Sequence, residues 1–334
     1  MPELALIGLG SNLGDRKALL DSAVASLSNT PGITLRSVSS YHETAAVGGP
    51  QRQGPFLNAA VALETTIEPI ALLDRLNAIE NEANRVRTVR WGERTLDLDL
   101  LLFGDRVIQT SRLTVPHPRM AFRRFVLAPL VEISPDAIHP ETGMTITALL
   151  DNIDRRPSYV AMFRHRVDQK AIFRELVEKL WAIGLSSGIG EGAGDNPVGD
   201  WRWMESADHY LPLLEQVATE LRRDRWSEDD WGDRWVVTDF WFDRIYLTAR
   251  SSTAPSEFGS FHQRFLELRP QVIAPTMLVL DRRIQIAEVQ GYFDDEYSPF
   301  PKIGRAVPTL RPDSDDPEEI ATEIAAACQA TRAG

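Results

Sequence analysis

Cysteine is nearly absent from this sequence. Cys328 is the single cysteine among 334 residues, so the chain can form neither an internal disulfide nor a cysteine-rich metal site. It lies near the end of the chain in an apolar stretch, IATEIAAACQA, which we interpret as one face of a terminal helix. A small disulfide scaffold is therefore excluded.

Long apolar runs are also missing. No run reaches the roughly 18 residues that a membrane-spanning helix needs. The first residues, MPELALIGLGSN, lack the basic region that precedes the apolar part of a signal peptide, and they lead directly into a strand-like pattern. We therefore expect a cytoplasmic protein without a membrane partner.

Lysine is scarce as well, because only Lys17, Lys170, Lys179 and Lys302 occur. Nearly all positive charge is therefore arginine, which either reflects a GC-rich genome or serves the recognition of phosphate groups. The formal net charge is −12, whereas proteins that bind nucleic acid present basic surfaces. We therefore expect no nucleic-acid partner.

Residues 1–160 show an ordered alternation of strand and helix patterns. Apolar periodicity predicts strands and helices in the order β-α-β-β-α-β, over residues 3–9, 15–27, 33–41, 56–65, 69–83 and 95–103. This order is that of a ferredoxin-like α+β sandwich. The composition changes after residue 160, since seven of the eight tryptophans lie at or beyond Trp181. The length also suits two domains, which we place at 1–160 and 165–334.

The segment Arg90–Phe103, RWGERTLDLDLLLF, carries two aspartates in a predicted strand. Because side chains alternate between the faces of a strand, Asp97 and Asp99 share one face and the leucines share the other. Two carboxylates about 6.6 Å apart repel each other by about 2–3 kcal/mol. A hard divalent cation such as Mg²⁺ offsets this repulsion and leaves coordination positions open for phosphate. The alternative is a solvent-facing strand edge with two harmless aspartates.

Arginines gather just before these aspartates. Arg85, Arg87, Arg90 and Arg94 occur within a dozen residues, with Trp91 among them. Guanidinium groups suit phosphate oxygens, and cations beside a two-carboxylate metal site are what transfer from a triphosphate needs. The arginines could instead simply pair with the aspartates.

Four segments together resemble a known family. ALIGLGSNLGD, FLNAAVALET, RWGERTLDLDLLLF and LTVPHPRMAFRRFVLAPLVEISP resemble the 6-hydroxymethyl-7,8-dihydropterin pyrophosphokinases in order and spacing. The resemblance implies a ferredoxin-like fold. It also implies transfer of the pyrophosphoryl group of ATP to the pterin hydroxymethyl oxygen, with release of AMP, in folate biosynthesis. The partners implied are ATP as co-substrate, the pterin and two Mg²⁺ ions.

The resemblance also implies the residues of the site. The metal ligands are Asp97 and Asp99, and the catalytic set adds Arg94, His117 and Arg123. ATP would be bound by Leu73, Arg85, Arg87, Trp91, Arg94, Leu100, Thr114, His117 and Arg123. The pterin would be bound by Thr44, Val47, Phe56, Asn58, Glu80, Trp91 and Phe125.

The chain departs from the family pattern at three places. Phe56 stands where tyrosine is common, so the stacking face remains and the hydroxyl is lost. Ala45 and Ala46 replace prolines, which makes this loop less rigid. Pro118 removes a side-chain contact to the nucleotide.

Residues 165–334 alternate strands and helices, which predicts an α/β domain with a parallel sheet. WVVTDFWFDR and PTMLVLD distantly resemble the middle of a deoxynucleoside-kinase-like P-loop domain. Such a kinase needs G-x-x-x-x-G-K-[ST], and no lysine occurs between Lys179 and Lys302. We therefore predict a degenerate domain that does not phosphorylate. The glycine-rich stretch of this half has two interpretations. It is either a loop or a dinucleotide-binding fingerprint formed by Gly188, Gly190 and Ala193.

Three functional hypotheses remain open on sequence grounds. The first is the pterin pyrophosphokinase, the second adds a nucleoside-related activity in the second half, and the third is a nucleotide-binding pseudoenzyme. The tryptophans of the second half form either a core or a partner surface, and the latter predicts a homodimer through residues 165–334. Six of these seven tryptophans make up the set considered: Trp201, Trp203, Trp226, Trp231, Trp235 and Trp241.

Overall fold

A computed structural model describes most of the chain. The described residues are 1–48, 53–83, 94–163, 169–180, 182–185, 207–226, 234–252, 255–280 and 307–333. They form two compact units, Met1–Asp154 with Ala326–Gly334, and Arg155–Ala325. Within the described ranges, no helix combines the length and the apolar character needed to span a bilayer.

The first unit contains the predicted order of strands and helices with small additions. Its strands are β1 (Glu3–Ser11), β2 (Ile33–Val38), β3 (His42–Thr44), β4 (Phe56–Thr65), β5 (Asp97–Phe103), β6 (Ile108–Gln109) and β7 (Thr114–Val115). Its helices are α1 (Arg16–Ser28), α2 (Pro69–Glu82), α3 (Arg124–Ile133) and α4 (Ile146–Asp154), with a 3-10 turn at Met120–Phe122. Helix α1 begins where the Asp15 carboxylate accepts from Ala18 N at 3.1 Å, and α2 begins with Pro69 at a position that tolerates proline.

The sheet of the first unit has the order β2-β4-β1-β5, with β3 paired to β4. Strand β1 runs antiparallel to both of its neighbours. Helices α1 and α2 pack on the face of the sheet that carries Ile7, Leu9 and Leu98. Helices α3 and α4 cover the other face, where Leu6 and Leu101 are fully buried. The structure is thus mixed α+β, with an apolar core on each side of one sheet.

The second unit has a parallel sheet. Its strands are β8 (Ser158–Phe163), β9 (Ile183–Leu185), β10 (Trp235–Thr238), β11 (Met277–Leu280) and β12 (Thr309–Leu310). They lie in the order β12-β11-β8-β10-β9, and each pairing between neighbours is parallel. Its helices are α5 (Gln169–Leu180), α6 (Ala207–Glu220), α7 (Phe242–Ser252) and α8 (Pro255–Leu268), and the last helix of the chain is α9 (Pro317–Ala330).

The described tryptophans of the second unit are core residues. Trp226, Trp235 and Trp241 are 8%, 2% and 1% exposed, so the core interpretation is confirmed for these three. Trp181, Trp201, Trp203 and Trp231 lie outside the described residues, as does the glycine-rich stretch with Gly188, Gly190 and Ala193. The terminal helix predicted around Cys328 is also confirmed, with the thiol buried.

Candidate active site

An open pocket lies over one end of the first sheet. It lies on the face of the sheet that α3 and α4 cover elsewhere. Gly8 and Gly10 of β1 have no side chains, so space remains there between β4, β5 and the start of α3. The pocket is lined by Gly8, Leu9, Gly10, Thr44, Ala45, Val47, Phe56, Asn58, Ala59, Arg94, Asp97, Asp99, Arg123, Phe125 and Val126. Nine of the residues named from the sequence therefore meet at one place: Thr44, Val47, Phe56, Asn58, Arg94, Asp97, Asp99, Arg123 and Phe125.

Two carboxylates on β5 face this pocket, each held by an arginine. Arg94 Nη1 donates to Asp97 Oδ2 at 2.5 Å, and Arg123 Nη1 donates to Asp99 Oδ2 at 3.1 Å. The side chains of Asp97 and Asp99 are 20% and 32% exposed. Both of them are therefore accessible from the pocket, as the alternation in LDLDL predicts. The pairing of arginine with aspartate that the sequence left open also occurs.

His117 contributes a neutral imidazole beside Asp99. Its Nδ1 accepts from the backbone N–H of Arg119 at 3.2 Å, so the ring proton of the neutral form is on Nε2. Nε2 lies 3.8 Å from Asp99 Oδ2. Burial lowers the pKa of His117 to about 4, although the Asp99 charge opposes this. His117 thus serves as a hydrogen-bond donor near neutral pH.

The ionised form of Asp99 is favoured. Burial raises its pKa, but the charges of His117, Arg123 and Arg94, together with the hydrogen bond from Arg123, lower it by more. Because His117 is neutral near pH 7, the two arginines supply this stabilisation there. The site therefore keeps a carboxylate available to a cation.

The opposite wall of the pocket has a fixed amide. Asn58 and Thr44 are 5% and 6% exposed, and Asn58 Nδ2 donates to Thr44 Oγ1 at 2.9 Å. This bond sets the orientation of the amide and leaves Asn58 Oδ1 on the side of Gly10. Phe56 and Phe125 add aromatic faces, and the Arg123 guanidinium lies 5.7 Å from the centre of the Phe125 ring. A flat ligand with hydrogen-bond donors on its edge suits this wall.

Glu80 is placed differently from the other predicted pterin contacts. It is 2% exposed, and its Oε1 accepts from Leu98 N at 2.7 Å. Leu98 lies between the two aspartates on the edge strand β5, so the Glu80 carboxylate braces that strand. Glu80 is not among the pocket-lining residues of the described chain.

Three predicted nucleotide contacts also lie away from the pocket lining. Leu100 is 3% exposed and belongs to the core beneath α1 and α2, and Leu73 packs against the same core. Thr114 is in β7, where it pairs with Gln109. None of the three lines the described pocket, so a contact to the nucleotide stays a prediction for them. Arg85, Arg87 and Trp91 lie outside the described residues.

Sequence reasoning missed residues that position the site. Asn12 Oδ1 accepts from Arg94 N at 2.7 Å, and Asn12 N donates to Arg94 O at 3.1 Å. This pair of bonds fixes the backbone from which Arg94 reaches Asp97. Gly8 and Gly10 form the floor of the pocket. The spacing G-L-G was a usable signal, because residues i and i+2 of a strand share a face.

The residues present fit Mg²⁺ bound together with a phosphate ligand. Within the described part of the chain, no group of three or more His, Cys, Asp or Glu could hold a metal on its own. Two carboxylates that share one face and open into a pocket suit a cation that takes its remaining ligands from phosphate and water. The two carboxylates would leave the other ligand positions of such a cation to phosphate and water.

Known proteins match the first unit. The model of the family "7,8-dihydro-6-hydroxymethylpterin-pyrophosphokinase (HPPK)" matches residues 6–135. Three proteins named 2-amino-4-hydroxy-6-hydroxymethyldihydropteridine pyrophosphokinase are similar to this chain. The one from Bacillus subtilis is 52% identical over 133 residues, which cover 40% of this chain and 79% of that protein. The one from Haemophilus influenzae is 46% identical over 146 residues, 44% of this chain and 90% of that protein.

The third, from Pseudomonas aeruginosa, is 40% identical over 162 residues, which cover 47% of this chain and 99% of that protein. Nearly the whole length of this relative is thus matched, and the matched family residues 6–135 include the carboxylates, the arginines and the Asn58 wall described above. The chain belongs to the 7,8-dihydro-6-hydroxymethylpterin pyrophosphokinase family.

Proposed function

We propose that the first unit transfers the pyrophosphoryl group of ATP to the hydroxymethyl oxygen of 6-hydroxymethyl-7,8-dihydropterin. AMP is the second product, and the reaction serves folate biosynthesis. The single observation that carries this proposal is the pocket itself, which joins an aromatic and amide wall to a carboxylate and arginine wall. The names of the relatives agree with it.

The acceptor pterin binds between Phe56 and Phe125. Its flat ring stacks on the two aromatic faces, while Asn58 Oδ1 accepts from an N–H on the ring edge. Thr44 holds the amide in that orientation. Burial of both polar side chains makes the wall selective, because a ligand without a matching donor leaves a buried oxygen unpaired.

The triphosphate binds at the other wall. Asp97 and Asp99 would hold two Mg²⁺ ions, and these ions would supply neutralisation of the charge on the phosphate oxygens. Arg94 and Arg123 contact these carboxylates, and their guanidinium groups also suit phosphate oxygens. The Nε2–H of His117 donates to a phosphate oxygen, and Arg85, Arg87 and Trp91, which lie outside the described residues, stay predicted ligands of ATP. We assign no general base, so positioning and charge stabilisation supply most of the rate.

The fold of each unit follows from its strand order. We infer a ferredoxin-like sandwich for the first unit, supported by the order β2-β4-β1-β5 of antiparallel strands. For the second unit we infer a degenerate nucleoside-kinase-like domain, supported by its parallel sheet and by the missing phosphate-binding motif. It does not phosphorylate deoxynucleosides, and a measurable rate of that reaction in the full chain would contradict this role.

Homodimerisation through residues 165–334 is testable by sedimentation at several concentrations, and a cytoplasmic location by fractionation.

The deciding experiment measures AMP formed by the full chain from ATP and 6-hydroxymethyl-7,8-dihydropterin, with and without Mg²⁺. We expect AMP only when pterin and Mg²⁺ are both present. AMP without pterin would indicate a different acceptor. Binding of Mg²⁺-ATP without any AMP would favour the pseudoenzyme instead.

A further inference from the structure

Gly10 lies between the two walls of the pocket. In the register of the sheet it is the direct partner of Asn58 on β4 and of Asp97 on β5. The residue that reads the acceptor ring and a residue that faces the phosphates are therefore its two neighbours across the strands. No other position of β1 pairs with both of these residues.

A side chain at this position would enter the space between the walls. A Cβ atom on Gly10 would lie 3.3 Å from Asn58 Oδ1, 3.7 Å from Phe56 Cδ1 and 4.0 Å from Asp97 Cβ. The first distance is tighter than ordinary van der Waals contact, so the methyl group would cover the amide oxygen. Gly10 is part of an extended strand, so an L-residue fits the backbone and the restriction is one of space.

We propose that Gly10 is a specificity-determining residue that sets how closely the acceptor ring approaches Asn58. Its missing side chain lets the ring edge reach Asn58 Oδ1 and lie beside Phe56. A methyl group there lifts the ring from the amide and leaves the arginine and carboxylate wall unchanged on its far side. This proposal rests on the proposed function.

Gly8 provides a graded comparison on the same strand and face. A Cβ atom on Gly8 would meet the side chain of Leu101, with Cδ1 at 3.3 Å and Cδ2 at 3.6 Å. The end of a leucine side chain can move, whereas the amide of Asn58 is tied to Thr44. Gly8→Ala should therefore weaken acceptor binding less than Gly10→Ala does.

The test is calorimetric titration of the full chain with two ligands. One is Mg²⁺ with a non-hydrolysable ATP analogue, and the other is 6-hydroxymethylpterin added to that complex. For Gly10→Ala we expect the pterin Kd to rise at least about tenfold and the nucleotide Kd to stay within about twofold. The KM for the pterin should rise by a similar factor. Gly259→Ala is the matched control, because a Cβ atom there has nothing within 4 Å.

Two results would overturn the proposal. One is a pterin Kd for Gly10→Ala within about twofold of the wild type. The other is an equal loss of affinity for both ligands with a lowered unfolding temperature, which indicates general damage. If Gly10→Ala does not fold, the change is made in the Asn58→Ala background, where the methyl group no longer meets the amide oxygen. Because Gly10 acts through Asn58, the double variant should bind pterin within about twofold of Asn58→Ala alone. A further loss of about tenfold or more in the double variant would again overturn the proposal. A wild type without pterin-dependent AMP would instead reject the proposed function.

Discussion

Each unit contains a carboxylate paired with arginine, and the two pairs behave in opposite ways. Asp99 and Arg123 open into the pocket, with side chains 32% and 20% exposed. Asp243 and Arg269 in the second unit are 1% and 17% exposed, with contacts of 2.5 and 3.1 Å that use both carboxylate oxygens. Charges lower the pKa of Asp99, whereas burial raises that of Asp243 despite Arg269.

The difference shows what separates a site from a structural pair. Asp99 has several cationic neighbours, which keep its carboxylate ionised, and a ligand can reach it from the pocket. The Asp243 side chain is almost fully buried, and Arg269 supplies the charge that opposes the effect of burial on its pKa. Breaking the first pair should therefore affect function, and breaking the second should affect folding.

The largest effect is expected for Asp97→Asn together with Asp99→Asn. Loss of both charges removes the cation ligands, and we expect pterin-dependent AMP formation to fall by about 10³-fold or more. Mg²⁺-dependent ATP binding should be lost with it. The unfolding temperature should change little, because both side chains are partly exposed. The control is Asp74→Asn, which removes an exposed partner of Arg112, and unchanged ATP binding in the double variant would contradict the metal site.

The second largest effect is expected for Arg269→Met. This change leaves the buried Asp243 without its guanidinium, and we expect the second unit to lose about 3–5 kcal/mol of unfolding free energy. Urea denaturation followed by tryptophan fluorescence measures this loss, since Trp226 and Trp241 lie in that core. Adding Asp243→Leu to Arg269→Met should recover much of the loss, because no uncompensated charge remains. A loss below about 1 kcal/mol in the single variant would mean that water reaches Asp243.

The sequence predicted the arrangement of Asp97 and Asp99 because strand alternation is local. It likewise predicted the order of strands and helices in the first unit, although β2 ends at Val38 and not at residue 41. It could not predict that Glu80 accepts from Leu98 N, because a carboxylate on a helix has no periodicity that reveals a partner on a strand. The contact of Asn12 with Arg94 spans 82 positions, so it follows from the sheet and not from any motif.

A smaller effect on the free energy of unfolding should come from His139. Burial is the main cause of its lowered pKa, and no charged neighbour contributes to the shift. Burial lowers its pKa to about 4, opposed only by a backbone hydrogen bond. As the pH falls, the unfolded state therefore takes up this proton before the folded state does. The stability that the neutral, buried His139 contributes is complete above pH 6.5 and is lost as the pH falls from 6.5 towards 4. Its full size is about 3 kcal/mol. Urea unfolding between these pH values should show a shallower pH dependence for His139→Gln, and parallel curves would contradict the prediction.

The smallest effect is expected for an exposed pair, which completes the series from site to core to surface. Arg75 Nη1 lies 3.2 Å from Glu82 Oε1, and the side chains are 31% and 60% exposed. Water solvates both charges, so Glu82→Gln should change the unfolding free energy by less than about 1 kcal/mol. Arg75 keeps its bond from Nε to Thr30 Oγ1 at 3.1 Å. Urea denaturation at low and high salt should give the same small difference or a smaller one at high salt. A loss as large as that of Arg269→Met would mean that exposure does not decide the energy of these pairs.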